Sequence, residues 1–569
     1  MDKYWAQAPE RRDQSVLFCP TLDESVPAEH PIRTVDEILA LYDWSEWEKK
    51  YDGYRGQPPI HPKLMAGVIL YGLIRGIRSS RCLEDATRER RDFRWFLEGR
   101  TIDHSTFARF RTNFTVELKE LNGKIAVMLC DHYEDALVTL ILDGTRERAN
   151  SDRHGTRTAD TLERLIGDVA KALNEKLDRM AKADASENVI DIEVDQLRKE
   201  VCELQAKVEK YEKALEQARE RDATKQKHEG KNAKPVRVPV TDPDSFFQPN
   251  KDGGYAPNYT PIVGVDQASG AVVFEDVPVG AVESASVLPA VQEVESMCGS
   301  YPKRVLGDGN LFTGETMETL EGMGIEVYTP TDVDFSAANP ANRPDPTQPV
   351  PQELQGKLPL RNGHFSQAAF VYDSANDHYY CPNGKVLEPI GERTKSTTGV
   401  KCKRYKCPGK EGCPLAKQCA QEKADARTVT RDEYQDTRDV VGQRMATDEG
   451  RTIYKKRAPV VEGTFAYIKQ HMNIRAFLLR GIEKVRLEWT WICTAYNLRL
   501  LMKLLSQVSK TQSNGPKQPK GPSNPTQQTQ EQLDIFQNNK IRYQGYPKMV
   551  LFPVSLPKRP GTMARQRAA

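Results

Sequence analysis

The chain has 569 residues, 38% hydrophobic and 28% charged, with a formal net charge of +2 and a mean hydropathy of −0.64. A chain of this length divides into roughly two to four domains rather than one core. No apolar run approaches the roughly 18–20 residues of a membrane span, and Met-Asp-Lys-Tyr-Trp-Ala-Gln at the N-terminus lacks a charged-then-apolar leader. A cytoplasmic protein with no membrane partner is expected.

The small net charge is an average over an uneven distribution. Between Arg451 and Leu505, Lys and Arg far outnumber Glu462, Glu483 and Glu488, and beyond Val508 the only acids are Glu531 and Asp534. Of eleven cysteines, Cys19, Cys82, Cys130, Cys202, Cys298 and Cys493 are scattered, and buried reduced thiols are the expectation for these. The other five fall between Cys381 and Cys419.

Residues 1–30 read as an extended lead-in and 31–133 as a compact helical region. Within it, Leu64–Ile74 is one helix with Pro62 in its first turn, Ser79 and Ser80 cap a second, and Asp103 caps a third that carries Arg109 and Arg111. Three short helices with a basic last one fit a helix-turn-helix, and equally a packing domain with surface arginines. In 134–157 the apolar run Ala136–Leu142 ends at Asp143, followed by Gly-Thr.

Residues 158–230 are predicted as a helical hairpin turning near Ala183–Asn188. Val194, Leu197, Val201, Leu204, Val208, Tyr211, Leu215 and Ala218 alternate spacings of three and four, a heptad seam. Such an arm packs only on itself or forms a dimer contact. In 231–333, Asp266-Gln-Ala-Ser-Gly270 joins two apolar runs as a hairpin, and the run Arg304–Gly307 ends at Asp308, followed by Gly-Asn. Strand, hairpin, helix, strand, helix, strand describes a mixed α/β sheet. Residues 334–445 combine a Pro- and Asn-rich loop with the cysteine region, 446–507 are helical around Glu462, and 508–569 read as a disordered basic tail.

Two strand-end aspartates and a helical glutamate are a ligand set for hard divalent cations. Magnesium takes oxygen ligands and keeps several waters, so a few carboxylates suffice, and a pair of ions can serve both the attacking and the leaving oxygen of a phosphodiester. Singly, a strand-end Asp is more often a turn or cap residue. Around Glu462, Tyr454 and Arg457 precede and Lys469 follows on one helical face, a setting suited to holding phosphates.

On these residues the chain resembles bacterial insertion-sequence transposases with an RNase H-like core and a DDE triad. Tyr454, Arg457, Glu462 and Lys469 are similar to their Tyr-Arg-Glu-Lys signature, though four residues rather than three separate Arg457 from Glu462. Asp143-Gly-Thr and Asp308-Gly-Asn-Leu-Phe resemble the first two acidic motifs, His30 to Phe114 the N-terminal domain, and Arg480-Gly-Ile-Glu-Lys-Val…Asn497-Leu-Arg the closing helix. The resemblance implies catalysis by Asp143, Asp308 and Glu462 with two Mg2+ (or Mn2+) ions. Terminal inverted repeats would be cut and the freed 3′-hydroxyl transferred to target DNA by a dimer. Tyr454, Arg457, Lys469, Arg109 and Arg111 are then candidate DNA contacts. A nuclease without strand transfer and a non-catalytic repressor are the rival readings.

Similar transposases carry a cysteine-rich insertion ahead of the glutamate. Cys381, Cys407, Cys413 and Cys419 are candidate zinc ligands with Cys402 as a spare; reduced cysteines in a small basic subdomain are the alternative. Trp489 and Trp491, two apart on a helix, are expected to face different sides, one in the core and one exposed.

Overall fold

The computed structural model describes residues 21–53, 58–184, 191–230, 233–250, 253–280, 282–395, 399–420 and 424–513. The expected lead-in up to residue 20, Cys19, most of the hairpin turn and the tail from 514 lie outside the described residues. No described helix is long and apolar enough to cross a membrane.

The N-terminal helices are α1 (Pro31–Ala40), α2 (Pro62–Ile74), α3 (Ser80–Glu89), α4 (Arg91–Phe96), α5 (His104–Phe110) and α6 (Thr115–Cys130). Local chemistry starts several of them. Pro31 and Pro62 occupy first turns, Ser79 Oγ accepts from Cys82 N, and Asp103 accepts from Ser105 N and Thr106 N. Almost every residue of α2 is buried. Trp47 stacks on Phe110 and Phe114 and meets Trp491 edge-on, so this core continues into the C-terminal part of the chain.

The central sheet begins with β1 (Thr139–Gly144). A helical hairpin follows, α7 (Ala159–Asp184) against α8 (Asp191–Glu229), with Leu162, Ala214, Leu215 and Ala218 buried between them and the adjoining segment at Val238. The sheet resumes with β2 (Ile262–Asp266), β3 (Val272–Asp276), then α9 (Val287–Cys298), β4 (Arg304–Leu306), α10 (Gly314–Gly322) and β5 (Glu326–Tyr328). Strand order is β5-β4-β1-β2-β3. β1–β2 and β2–β3 are antiparallel, whereas β1–β4 and β4–β5 are parallel. Asp266 closes the β2–β3 turn by accepting from Ser269 N at 2.8 Å and holds the approach to β1 through Leu137 N at 2.8 Å.

Residues 371–432 form a second sheet that the sequence pattern did not announce. β6 (Val371–Asp373), β7 (His378–Tyr380), β8 (Val386–Thr394), β9 (Lys401–Lys406) and β10 (Thr428–Asp432) are a five-stranded antiparallel meander. Its core is Phe365, Tyr379, Leu387, Tyr405 and Val429, with Cys381 buried among them. The phenol of Tyr405 donates to Asp377 at 2.6 Å, which also pairs with Lys403.

Four helices close the fold: α11 (Gln435–Ala446), α12 (Asp448–Lys455), α13 (Arg457–Gln470) and α14 (Ile482–Ser513). The stretch expected to be one helix from Tyr454 to Lys469 is two, parted at Lys456. Pro459, which has no N–H to donate and is best placed in a first turn, accounts for a new helix starting at Arg457. Both tryptophans of α14 are buried, which corrects the expectation that one is exposed. Trp489 Nε1 donates to Ile262 O of β2 at 3.1 Å and Trp491 Nε1 to Arg111 O at 3.2 Å, because α14 is packed by the sheet on one side and the N-terminal helices on another. Asn497 of α14 donates to Asn122 Oδ1 of α6 at 2.9 Å and exchanges bonds with the Val272 backbone.

Candidate active site

Asp143 stands at the end of β1, whose residues Thr139–Leu142 are buried. β4 runs parallel beside it, with Ile141 opposite Leu306, so Asp308 emerges from the same edge of the sheet. Asp308 is exposed and accepts from Asn310 N at 2.9 Å.

α13 packs against β1 and α12 abuts α13. Arg457, at the start of α13, places Nη2 3.0 Å from Asp143 Oδ1. Tyr454, on α12, donates to Gly307 O at 3.4 Å, one residue before Asp308. Its phenol pKa is raised chiefly by burial; Arg457 opposes the shift, and the charges of Asp308 and Asp143 add to it. Asp143, Asp308, Arg457 and Tyr454 therefore share one neighbourhood. Glu462 is an exposed residue of α13. Lys469, seven residues further along the helix, lies 2.7 Å from Glu147 Oε1 and donates to Thr145 Oγ1 at 2.7 Å.

Two residues that no motif marked belong to this region. Glu283, on the short 3-10 turn Glu283–Ser286 ahead of α9, lies against the backbone beside Asp143: a Cβ added to Gly144 would stand 3.2 Å from its Cδ. Burial raises its pKa first, then the charges of Asp143 and Asp308, against a lowering by Arg146. Glu147 is 2% exposed. Neither has a sequence signal, because Glu283 is remote from Asp143 along the chain and so is Lys469 from its partner Glu147.

The donor chemistry suits a hard divalent cation, since the edge carries the carboxylates of Asp143 and Asp308 with Glu283 beside them. Among the described residues, however, no three of His, Cys, Asp and Glu are arranged to hold a metal ion, and Asp143 is engaged by Arg457.

Arg109 is exposed on α5. Arg111 instead turns inward, donating to Arg78 O at 2.6 Å, and burial pulls its pKa down to about 10. Arg78 in turn donates to Asn473 O and pairs with Glu488, fastening the N-terminal helices to the C-terminal ones.

Cys381 belongs to the core of the second sheet and Cys407, Cys413 and Cys419 pack against that core, close enough for their charges to interact. Cys381 Sγ accepts from Lys385 N at 3.3 Å and Cys413 Sγ lies 3.8 Å from Asn383 Nδ2. Burial pushes Cys381 up and Cys419 up to about 12. Cys402 is buried on β9 with its Sγ 3.8 Å from Val400 O.

Residues 380–502 match the family model described as a transposase DDE domain, and residues 20–113 match a transposase domain, DUF772. No curated protein and no solved structure matches the chain. The first match contains Tyr454, Arg457, Glu462 and Lys469; the second spans α1 to α5. The two matches, in this order along one polypeptide, make the chain similar to insertion-sequence DDE transposases at both its N-terminal helices and its C-terminal part.

Proposed function

We propose that the protein cuts DNA at the terminal inverted repeats of its element and joins the freed 3′-hydroxyl to target DNA, with Asp143, Asp308 and Glu462 as the catalytic carboxylates. The observation that carries this reading is the placement of Asp143 and Asp308 at one edge of neighbouring parallel strands, with the helix of Glu462 packed on β1. The strand order β5-β4-β1-β2-β3, antiparallel on one side of β1 and parallel on the other, supports an RNase H-like core.

The three carboxylates would hold two magnesium or manganese ions, which supply an activated attacking oxygen and a neutralised leaving oxygen. Arg457 holds Asp143 by an ion pair and offers phosphate a fork of N–H donors. Tyr454, its phenol kept protonated, is a phosphate contact and not a nucleophile. Arg109 on the exposed side of α5 is a further DNA contact. Synapsis of two element ends requires a dimer on DNA, in the cytoplasm. The thiols of Cys381, Cys407, Cys413 and Cys419, which pack against one core but are not arranged as a metal-holding group, would have to draw together to form the candidate structural zinc site.

The test is strand transfer by purified protein. DNA carrying the sequences that flank the reading frame is incubated with Mg2+ and a target plasmid. Nicking at the ends followed by joined products is expected, and Asp143→Asn or Glu462→Gln should reduce both by at least about a thousandfold. Cutting without joining indicates a nuclease. Binding without cutting indicates a repressor. Full activity in Asp143→Asn refutes the assignment of the carboxylates.

A further inference from the structure

Two ion pairs join the segments that carry Asp143 and Glu462, and the one at Glu147 is the more buried on its acidic side. Glu147 follows Asp143 by four residues and is 2% exposed, while Lys469 follows Glu462 by seven residues on α13. Their 2.7 Å contact is reinforced by the Lys469 bond to Thr145 Oγ1 at 2.7 Å. Burying a carboxylate as deeply as Glu147 is costly without an opposite charge beside it, and Lys469 supplies that charge while remaining 30% exposed. Seven residues are about two helical turns and return to within roughly 20° of the same face. Glu462 and Lys469 therefore lie on one stripe of α13. At the start of the helix, Arg457 is 3.0 Å from Asp143. The helix is thus tied to the β1 segment both before and after Glu462. The next stretch of chain is tied as well, since Phe477 N donates to Arg148 O at 2.8 Å.

We propose that Lys469 is a positioning residue: with Glu147 it sets the axial and rotational register of α13 on β1, and so the approach of Glu462 to Asp143, instead of binding a DNA phosphate. This rests on the carboxylate reading above. A lysine that contacts phosphate contributes about one unit to the slope of log affinity against log salt, whereas a lysine spent on a buried carboxylate contributes little.

The test uses the full chain, Mg2+ and duplex DNA carrying the flanking sequences, with Lys469→Met, Glu147→Gln, their double variant and Asp143→Asn. DNA binding is followed by fluorescence anisotropy across a salt series, and end cleavage by gel. For the double variant, an unchanged salt slope is expected together with a fall in cleavage of at least tenfold. The three variants should share that reduced rate, because they break one interaction. Single variants that leave a buried charge can fail to fold; the double variant removes both charges and decides the matter alone. Wild-type cleavage by the double variant, or a salt slope reduced by about one, overturns the proposal. If Asp143→Asn is inactive while the double variant is fully active, only the positioning role falls. If Asp143→Asn cleaves normally, the carboxylate reading itself has failed.

Discussion

Glu275 is a buried carboxyl group whose surroundings come from several parts of the fold, and it offers a test of the packing that unites them. It lies on β3, and its Oε2 accepts from Asn122 Nδ2 of α6 at 2.8 Å, while Asn122 accepts from Asn497 of α14. Burial pushes its pKa up to about 8; Lys119 lowers it and Glu293 raises it. A raised carboxylate means the folded chain holds a proton that the unfolded chain, titrating near 4.5, has released. The resulting stability is complete below pH 4.5 and is lost as pH rises through about 8. The loss is about 1.4 kcal/mol per pH unit, on the order of 5 kcal/mol across the window. Glu275→Gln keeps the acceptor for Asn122 and removes the charge. Urea unfolding followed by tryptophan fluorescence at pH 5 and pH 9 should give similar midpoints for the two proteins at pH 5. At pH 9 the Gln variant should be the more stable by a few kcal/mol. Curves that run parallel between those pH values would refute the argument, because the pH dependence would then arise elsewhere.

Two further outcomes are expected. Trp491→Ala should destabilise the protein by about 3–5 kcal/mol, since its ring is buried against Trp47 and Phe110 and its Nε1 bonds Arg111 O; thermal unfolding checks this, and a shift of less than about one degree contradicts it. Zinc content measured by atomic absorption should fall in Cys407→Ser/Cys413→Ser, and unchanged stoichiometry excludes zinc at the four thiols.

What the sequence revealed was whatever depends on neighbours along the chain. Ser79 and Asp103 announce helix starts because a cap acts within three residues. The Asp266–Gly270 hairpin is legible for the same reason; of the heptad seam, Val201, Leu215 and Ala218 are buried while Leu197, Leu204, Val208 and Tyr211 are half-buried. The break at Lys456 was legible too, in Pro459, but continuous basic character concealed it. Long-range contacts left no such trace. Nothing local marks Glu283 as the neighbour of Asp143, or pairs Glu147 with Lys469. The meander of 371–432 was hidden because its strands expose charged residues: of Lys401–Lys406 only Cys402 and Tyr405 are buried. Arg111 looked like a surface cation because its sequence cannot show that α14 covers it.

The distance in sequence between the three carboxylates has a structural resolution in how the two insertions begin and end. The helical hairpin leaves through Thr156–Arg157 and returns through Val238–Pro239, and these two segments pair antiparallel. The cysteine-bearing sheet leaves after β5 and returns into α11, where Arg438 Nε lies 3.3 Å from Asp332 Oδ1. Each insertion is thus closed by a contact between its own ends, and the core meets a short loop in both cases. Closure entropy grows only with the logarithm of length, so an eightfold longer excursion costs on the order of 2 kcal/mol. Pairing of β1 with β2 and with β4 is indifferent to what lies beyond the closing contacts. The register of α13 on β1 is different. As a helix α13 joins no strand ladder, and side chains fix it instead, among them the ion pairs at Asp143 and Glu147 and the Lys469 bond to Thr145 Oγ1. The placement of Glu462, the carboxylate most strongly marked in the sequence, therefore depends on Arg457 and Lys469 of its own motif and on Glu147, which no motif marks.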